Sequence, residues 1–137
     1  MNNYNYFDTF NYTFMNNDYD NRNNLYGAYE GYLKGNMFKD LYQQYKNYKP
    51  AIIKPSNEQE QELFNLNQIM FAMHDINLYL DVYPNDERMI NLFSKYKDIY
   101  NELCTNYEKK YGPINVNKTN NKVPFEWESK NFPWEVK

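Results

Sequence analysis

The chain has 137 residues and a net charge of -3; 20% of its residues are aromatic, among them 16 Tyr and 9 Phe, yet its mean hydropathy is only -1.02. A length of this order is that of one domain with tails, and no run approaches the roughly 18 to 20 consecutive apolar residues of a membrane span. The slightly acidic balance gives no general electrostatic attraction to nucleic acid, so neither nucleic acid nor membrane is expected among the partners.

The single cysteine, Cys104, allows no internal disulfide, which excludes a stapled secreted scaffold. The start, Met1-Asn2-Asn3-Tyr4, lacks the basic and apolar regions of a secretory signal. The expected place of synthesis is a reducing cytosol.

Four zones follow in chain order. Residues 1–24 form an Asn/Tyr-rich head in which rings are spaced through a polar background, a low-complexity pattern suited to association. Residues 25–55 are punctuated by Gly31, Gly35 and Pro50, and Met37 to Tyr45 is the one stretch there that reads as a helical turn or two. Pro50 and Pro55 bracket Ala51-Ile52-Ile53-Lys54, an extended linker.

Residues 56–113 are the most regular. Ser56 and Gln59 fit the N-cap and third position of a capping box. Leu63, Leu66, Ile69, Met70, Met73, Ile76 and Leu80 then recur at helical spacing. Pro84 ends this helix near Tyr83, and Asn85 or Asp86 caps the next. The second stripe is cleaner, with Met89, Phe93, Tyr96, Tyr100, Leu103 and Tyr107 spaced 4, 3, 4, 3 and 4. Lys109-Lys110-Tyr111-Gly112-Pro113 closes the helix with cations, a glycine and a proline. Two long helices joined by a short turn must run antiparallel.

Residues 114–137 end in two aromatic clusters, Pro124-Phe125-Glu126-Trp127 and Phe132-Pro133-Trp134, in which the prolines favour an extended tail. The expected fold is therefore all-α: an antiparallel two-helix hairpin with extended aromatic-rich N- and C-terminal arms. Its single seam is too small a core to be comfortable alone, so self-association or a partner is expected to complete it. The hairpin itself is acidic, with 10 acidic and 5 basic side chains over residues 57–112.

The chemistry is sparse. His74 is the one histidine, its helical neighbours at three and four residues are Met70, Phe71, Asn77 and Leu78, and it reads as an ordinary packed or surface side chain. Cys104 reads as a buried spectator, and Asp75 and Asp81 as a solvated face or local caps. No nucleophile elbow, phosphate loop, dinucleotide-binding glycine run or zinc-protease motif occurs. No catalytic, cofactor-binding or metal residue is assigned, and no enzyme activity is expected. The rings of the second stripe read as core, whereas Trp127 and Trp134 are costly to leave in water and would dock either on their own hairpin or on a partner, where Trp is a frequent anchor.

Specific residues suggest a family. Phe71-Ala72-Met73-His74-Asp75-Ile76-Asn77-Leu78-Tyr79-Leu80-Asp81-Val82-Tyr83-Pro84-Asn85-Asp86, then Tyr107-Glu108-Lys109-Lys110-Tyr111-Gly112-Pro113, then Trp127 and Phe132-Pro133-Trp134-Glu135, resemble the bacterial spore coat protein family CotJB. The resemblance spans about residues 60–137. Upstream, Gly31, Gly35, Phe38, Leu41 and Tyr42 are spaced as in the short CotJA proteins, a looser likeness. The tail departs from the family in having Phe125-Glu126-Trp127 where a richer Pro/Trp pattern is common.

The resemblance implies a structural coat component, made in the mother-cell cytoplasm and deposited in the spore coat. It also implies a partner, a manganese catalase-like coat protein resembling CotJC, which would carry the metal site. The expected partner-binding residues are Trp127, Phe132 and Trp134 in the tail and Phe38, Leu41 and Tyr42 upstream. A self-assembling coat brick that ignores the catalase is the alternative, and a small metal- or peroxide-handling enzyme is a third reading that the lone histidine disfavours.

Overall fold

The computed structural model describes residues 24–41 and 46–129. Four α-helices occur among them: α1 (Ala28–Lys34), α2 (Glu58–Val82), α3 (Glu87–Tyr111) and α4 (Glu126–Ser129), with a 3-10 turn at Val116–Lys118. These residues are thus all-α, and their only β pairing is an isolated antiparallel bridge between Leu25 and Phe38.

The start of α2 lies one residue beyond the expected cap. Asn57, not Ser56, is the N-cap, and its side-chain oxygen accepts the Glu60 N–H at 2.8 Å. Glu60 reaches back to the Ser56 N–H at 2.7 Å, so Asn57 and Glu60 take the roles read for Ser56 and Gln59 in a variant of the box that closes on the N–H just before the cap rather than on the cap's own. Asn57 wins because its amide oxygen satisfies an orphan donor of the first turn as well as a hydroxyl does. At the far end α2 stops at Tyr83, before Pro84. Asp86 caps α3 by accepting from the N–H groups of Arg88 and Met89 at 3.1 and 3.3 Å.

The two long helices run antiparallel. At the end away from the turn, Lys110 of α3 pairs with Glu58 and Glu62 of α2, and Gln59 donates to the Tyr107 hydroxyl at 3.1 Å. At the turn end, the Tyr79 hydroxyl donates to Asp86 at 3.0 Å. Ile69, Ala72 and Ile76 of α2 meet Met89, Leu92, Tyr96, Ile99 and Leu103 of α3 in the main core. Tyr96 and Tyr107 are buried, while Phe93 and Tyr100 lie half-buried against it.

The upstream arm departs from the expected extended form. The helix there is α1, before Gly35, whereas residues 37–41 are not helical and residues 42–45 lie outside the described part. Gly35 stops α1 because it takes the left-handed conformation at φ 70°. Its N–H bonds Tyr32 O, and that of Asn36 bonds Gly31 O at 3.0 Å, a Schellman closure. The chain then folds back, Tyr26 N–H bonding Met37 O at 2.8 Å and Lys39 N–H bonding Asn24 O at 2.9 Å. Gly31 permits this return, since a Cβ there would fall 2.3 Å from the buried Met37 sulfur.

Residues 24–41 thus form a closed strap, and it lies on α2. Tyr29 and Tyr32 set their edges against Phe64, Tyr32 also meets Phe71, and Phe38 stacks on Tyr79 with centroids 5.0 Å apart. Asp75, read as solvated or capping, is instead the polar anchor of the strap: its carboxylate accepts the Met37 N–H at 2.8 Å. Leu25 and Met37 bring their side chains fully into the main core.

Asparagine is heavily used, and the fold gives it work. Asn24, Asn47 and Asn121 hold positive φ, a conformation asparagine tolerates better than most residues, while Asn57 and Asn115 cap helices.

Candidate partner-binding surface

Of the six expected partner-binding residues, Phe38, Leu41 and Trp127 are among the described residues. Phe132, Trp134 and Tyr42 lie outside them. Trp127 sits on α4, half-buried. Phe38 is 6% exposed, its ring enclosed by Tyr79 and its backbone held at both ends by the Asn36 side chain, at 2.8 and 2.7 Å. It faces its own hairpin. Leu41, three residues on, is 52% exposed and open to solvent.

The tail begins by docking on the same chain. Gly112 and Pro113 are buried, and Ile114 packs beside Leu66, Cys104 and Tyr107. Glu108 accepts the Ile114 N–H at 3.2 Å and pairs with Lys118 at 3.3 Å, which folds the 3-10 turn back along α3. Lys118 also approaches the Cys104 sulfur at 3.7 Å. Burial first, and Glu108 next, push the Cys104 thiol up, with Lys118 opposing; a protonated, enclosed thiol is a poor nucleophile.

A second charged group closes the end away from the turn. Glu62 is buried on α2 and pairs with Lys110, which also reaches Glu58 at 3.2 Å. The hydrogen bond to Glu62, then that to Glu58, raise the Lys110 ammonium to about 12. At the turn end, burial works to raise the Asp86 carboxyl but is outweighed. The Met89 N–H, the Tyr79 hydroxyl and Arg88 hold it below its ordinary value. Burial and then the bond to Asp86 push the Tyr79 hydroxyl up. These groups fasten helix ends. His74 is exposed, and among the described residues no group of three or more His, Cys, Asp or Glu is placed to hold a metal ion. No helix of the described residues is long and apolar enough to cross a membrane.

What periodicity alone did not disclose is the apolar surface left open on the hairpin. Met70, Leu78, Val82, Tyr83 and Ile90 are 43 to 68% exposed, and four of the five cluster around the turn. The available signal was the spacing of Phe64, Phe71, Leu78 and Val82, which marks a second face of α2 beside the one toward α3.

The molecule so described is a small helical packing module: a hairpin, a strap bound to it, and ion pairs that fix helix ends. The chain belongs to the CotJB family, whose model, described as CotJB protein, matches residues 59–135. It is accordingly a spore coat component. No curated protein and no solved structure matches the chain.

Proposed function

We propose that the protein is a structural and adaptor component that joins a manganese catalase-like coat protein, similar to CotJC, and other coat proteins into the spore coat after synthesis in the mother-cell cytoplasm. The observation that carries this reading is the extent of the family match, residues 59–135. It takes in both the hairpin and the aromatic tail with Trp127, Phe132 and Trp134. A family unit that keeps a ring-rich tail together with a two-helix core suits capture of another surface, since Trp and Tyr are frequent interface anchors.

The strap supports a further part of the reading. It resembles CotJA, lies upstream of the family match, and is bound in cis to α2 through Met37, Phe38 and Asp75. In this chain a CotJA-like segment and a CotJB-like hairpin act as one body, and the remaining surface of the hairpin is completed by the catalase-like partner or by a second copy.

Co-expression with the catalase-like protein of the same genome, followed by size exclusion with light scattering, tests the reading. A co-eluting complex is expected, weakened by about 3 kcal/mol when Trp127 and Trp134 are both replaced by Ala. A folded oligomer that ignores the catalase would replace the adaptor reading with that of a self-assembling brick.

A further inference from the structure

Two open features of the surface carry opposite charge. The first is the segment 50–55, which takes no helix, strand or turn. Ile52 is 76% and Ile53 44% exposed, and among the described residues the backbone groups of residues 51–54 have no hydrogen-bond partner. Pro50 and Pro55 keep Lys49 and Lys54 out of helical backbone. The segment is thus extended before anything binds it, and side chains two apart, such as Ile52 and Lys54, share a side. Lys46, Lys49 and Lys54 are all exposed, and no carboxylate follows until Glu58. Glu58 and Glu60 are themselves taken, by Lys110 and by the Ser56 N–H.

The second is the turn end of the hairpin. Leu78, Val82 and Tyr83 are each more than half exposed. Leu78 and Val82 are one helical turn apart, and Asp81 is three residues from Leu78, so the three share one stretch of helix surface. Here the balance is acidic: Asp75, Asp81, Asp86 and Glu87 stand against Arg88, and the adjoining strap adds Lys39 and Asp40, one of each sign. Asp75 and Asp86 are occupied with backbone N–H groups, whereas Asp81 and Glu87 are exposed.

These two features cannot meet within one chain. Ile52 is five residues from Asn57, a reach of at most about 18 Å. Leu78 and Val82 lie 20 and 24 residues along α2 from Glu58, about 30 and 36 Å away. We propose that the segment 50–55 of one chain docks on the turn end of α2 in a second copy, with Ile52 seated on Leu78 and Val82 and Lys54 beside Asp81. Apolar burial supplies attraction, and charge selects the pairing, since two turn ends or two basic segments would meet like charge. A segment already extended loses little freedom on docking. Each pair leaves one segment and one turn end unused, so the contact is heterologous and chains add in a row or close a ring. The contact needs no catalase-like protein, and capture of that protein is a separate readout that can succeed or fail independently.

The test compares four full chains by sedimentation velocity: native, Ile52→Asp, Val82→Lys and the double variant. Each single substitution sets a charge against the surface it must meet. The native chain is expected to form species larger than a dimer as concentration rises, and each single variant to associate about tenfold more weakly or worse. An equimolar mixture of the two single variants joins the intact segment of one to the intact turn end of the other. It is expected to give a 1:1 pair of native affinity and nothing larger, because an exposed contact between the two replaced sites is worth little. The double variant, which has neither half intact, stays monomeric. Circular dichroism checks that each variant keeps native helicity, with Ile52→Ser and Val82→Ser as replacements for one that does not. A native chain that stays monomeric, a closed dimer that Ile52→Asp leaves intact, or a mixture that restores no pair overturns the proposal. The first outcome assigns the turn end to another segment of the same chain or to a different protein, and the second to an isologous contact.

Discussion

The two long helices have the same length, 25 residues each, but they are buried in different ways. α3 is a one-sided helix. Met89, Leu92, Tyr96, Ile99, Leu103 and Tyr107 line its inner face, and the opposite face is polar except for Ile90. α2 is a two-sided helix, with α3 against one flank and the strap against the other. Its buried set therefore includes Phe64 and Ala72 together with the polar Glu62, Asn65 and Gln68. A helix between two layers has no single apolar stripe, because a wide arc of its circumference is out of water.

The largest effect should come from removing a side chain that belongs to both layers. Ile76 is 0% exposed and lies in the cluster that includes Leu25 and Met37 of the strap as well as Met89 and Leu92 of α3. Ile76→Ala is expected to destabilise the chain by about 3 kcal/mol in chemical denaturation. A loss below about 1 kcal/mol would mean that strap and hairpin are not one cooperative unit.

Next comes the charged pair at the end away from the turn. Lys110→Ala leaves Glu62 buried without its partner, which in a fully enclosed site costs several kcal/mol. With 44% of the Lys110 side chain exposed, about 2 kcal/mol is expected. The pH dependence has a definite sign. The folded ammonium, at about 12, lies above its ordinary 10.5. Its contribution is thus whole below about 10.5 and is lost as pH rises through 12. Unfolding free energy measured from pH 9 to pH 12 should fall in that window for the native chain and fall less for Lys110→Ala.

The strap can be perturbed with the hairpin left in place. Asp75→Ala removes the acceptor of the Met37 N–H, a part-buried bond of 2.8 Å, and should weaken strap closure by about 1 to 1.5 kcal/mol. Hydrogen exchange should speed up at Met37 and Tyr26 and stay unchanged at Ile99. Equal acceleration at both sites would show that the strap does not open separately.

How much of this was legible in the sequence follows from the same contrast. The helix ends were readable from local chemistry at Tyr83, Asp86 and Gly112, where a proline, an acidic cap and a glycine act within a turn of their own position. The inner face of α3 was readable at Met89, Tyr96, Leu103 and Tyr107, whereas Leu92 and Ile99 are buried where Phe93 and Tyr100 were expected and these two rings lie half-buried beside them. The strap was not, because its determinants are non-local: Gly31 makes sense only with Met37 folded back on it, and Asp75 only with an amide 38 residues earlier in the chain. Of the expected partner-binding residues, Phe38 came from the CotJA-like spacing, and a ring at that position suits an intramolecular stack on Tyr79 as well as an interface. The aromatic content could not say which rings meet one another.

The smallest effect discriminates most finely between local pattern and realised contact. Ser56 and Asn57 are adjacent, both can cap, and the three-residue spacing offers each a partner, Gln59 for Ser56 and Glu60 for Asn57. The structure chooses Asn57, with Glu60 closing the box onto the Ser56 N–H. That choice also leaves Gln59 free of cap duty to bond the Tyr107 hydroxyl on α3 at 3.1 Å. A cap at Ser56 would draw Gln59 back toward the helix start and forfeit that contact between helices. Asn57→Ala should therefore cost about 1 kcal/mol, and Ser56→Ala should change stability by less than about 0.3 kcal/mol, because the N–H that Glu60 uses is retained. The reverse ranking in paired denaturation curves would place the cap one residue earlier and detach Gln59 from Tyr107.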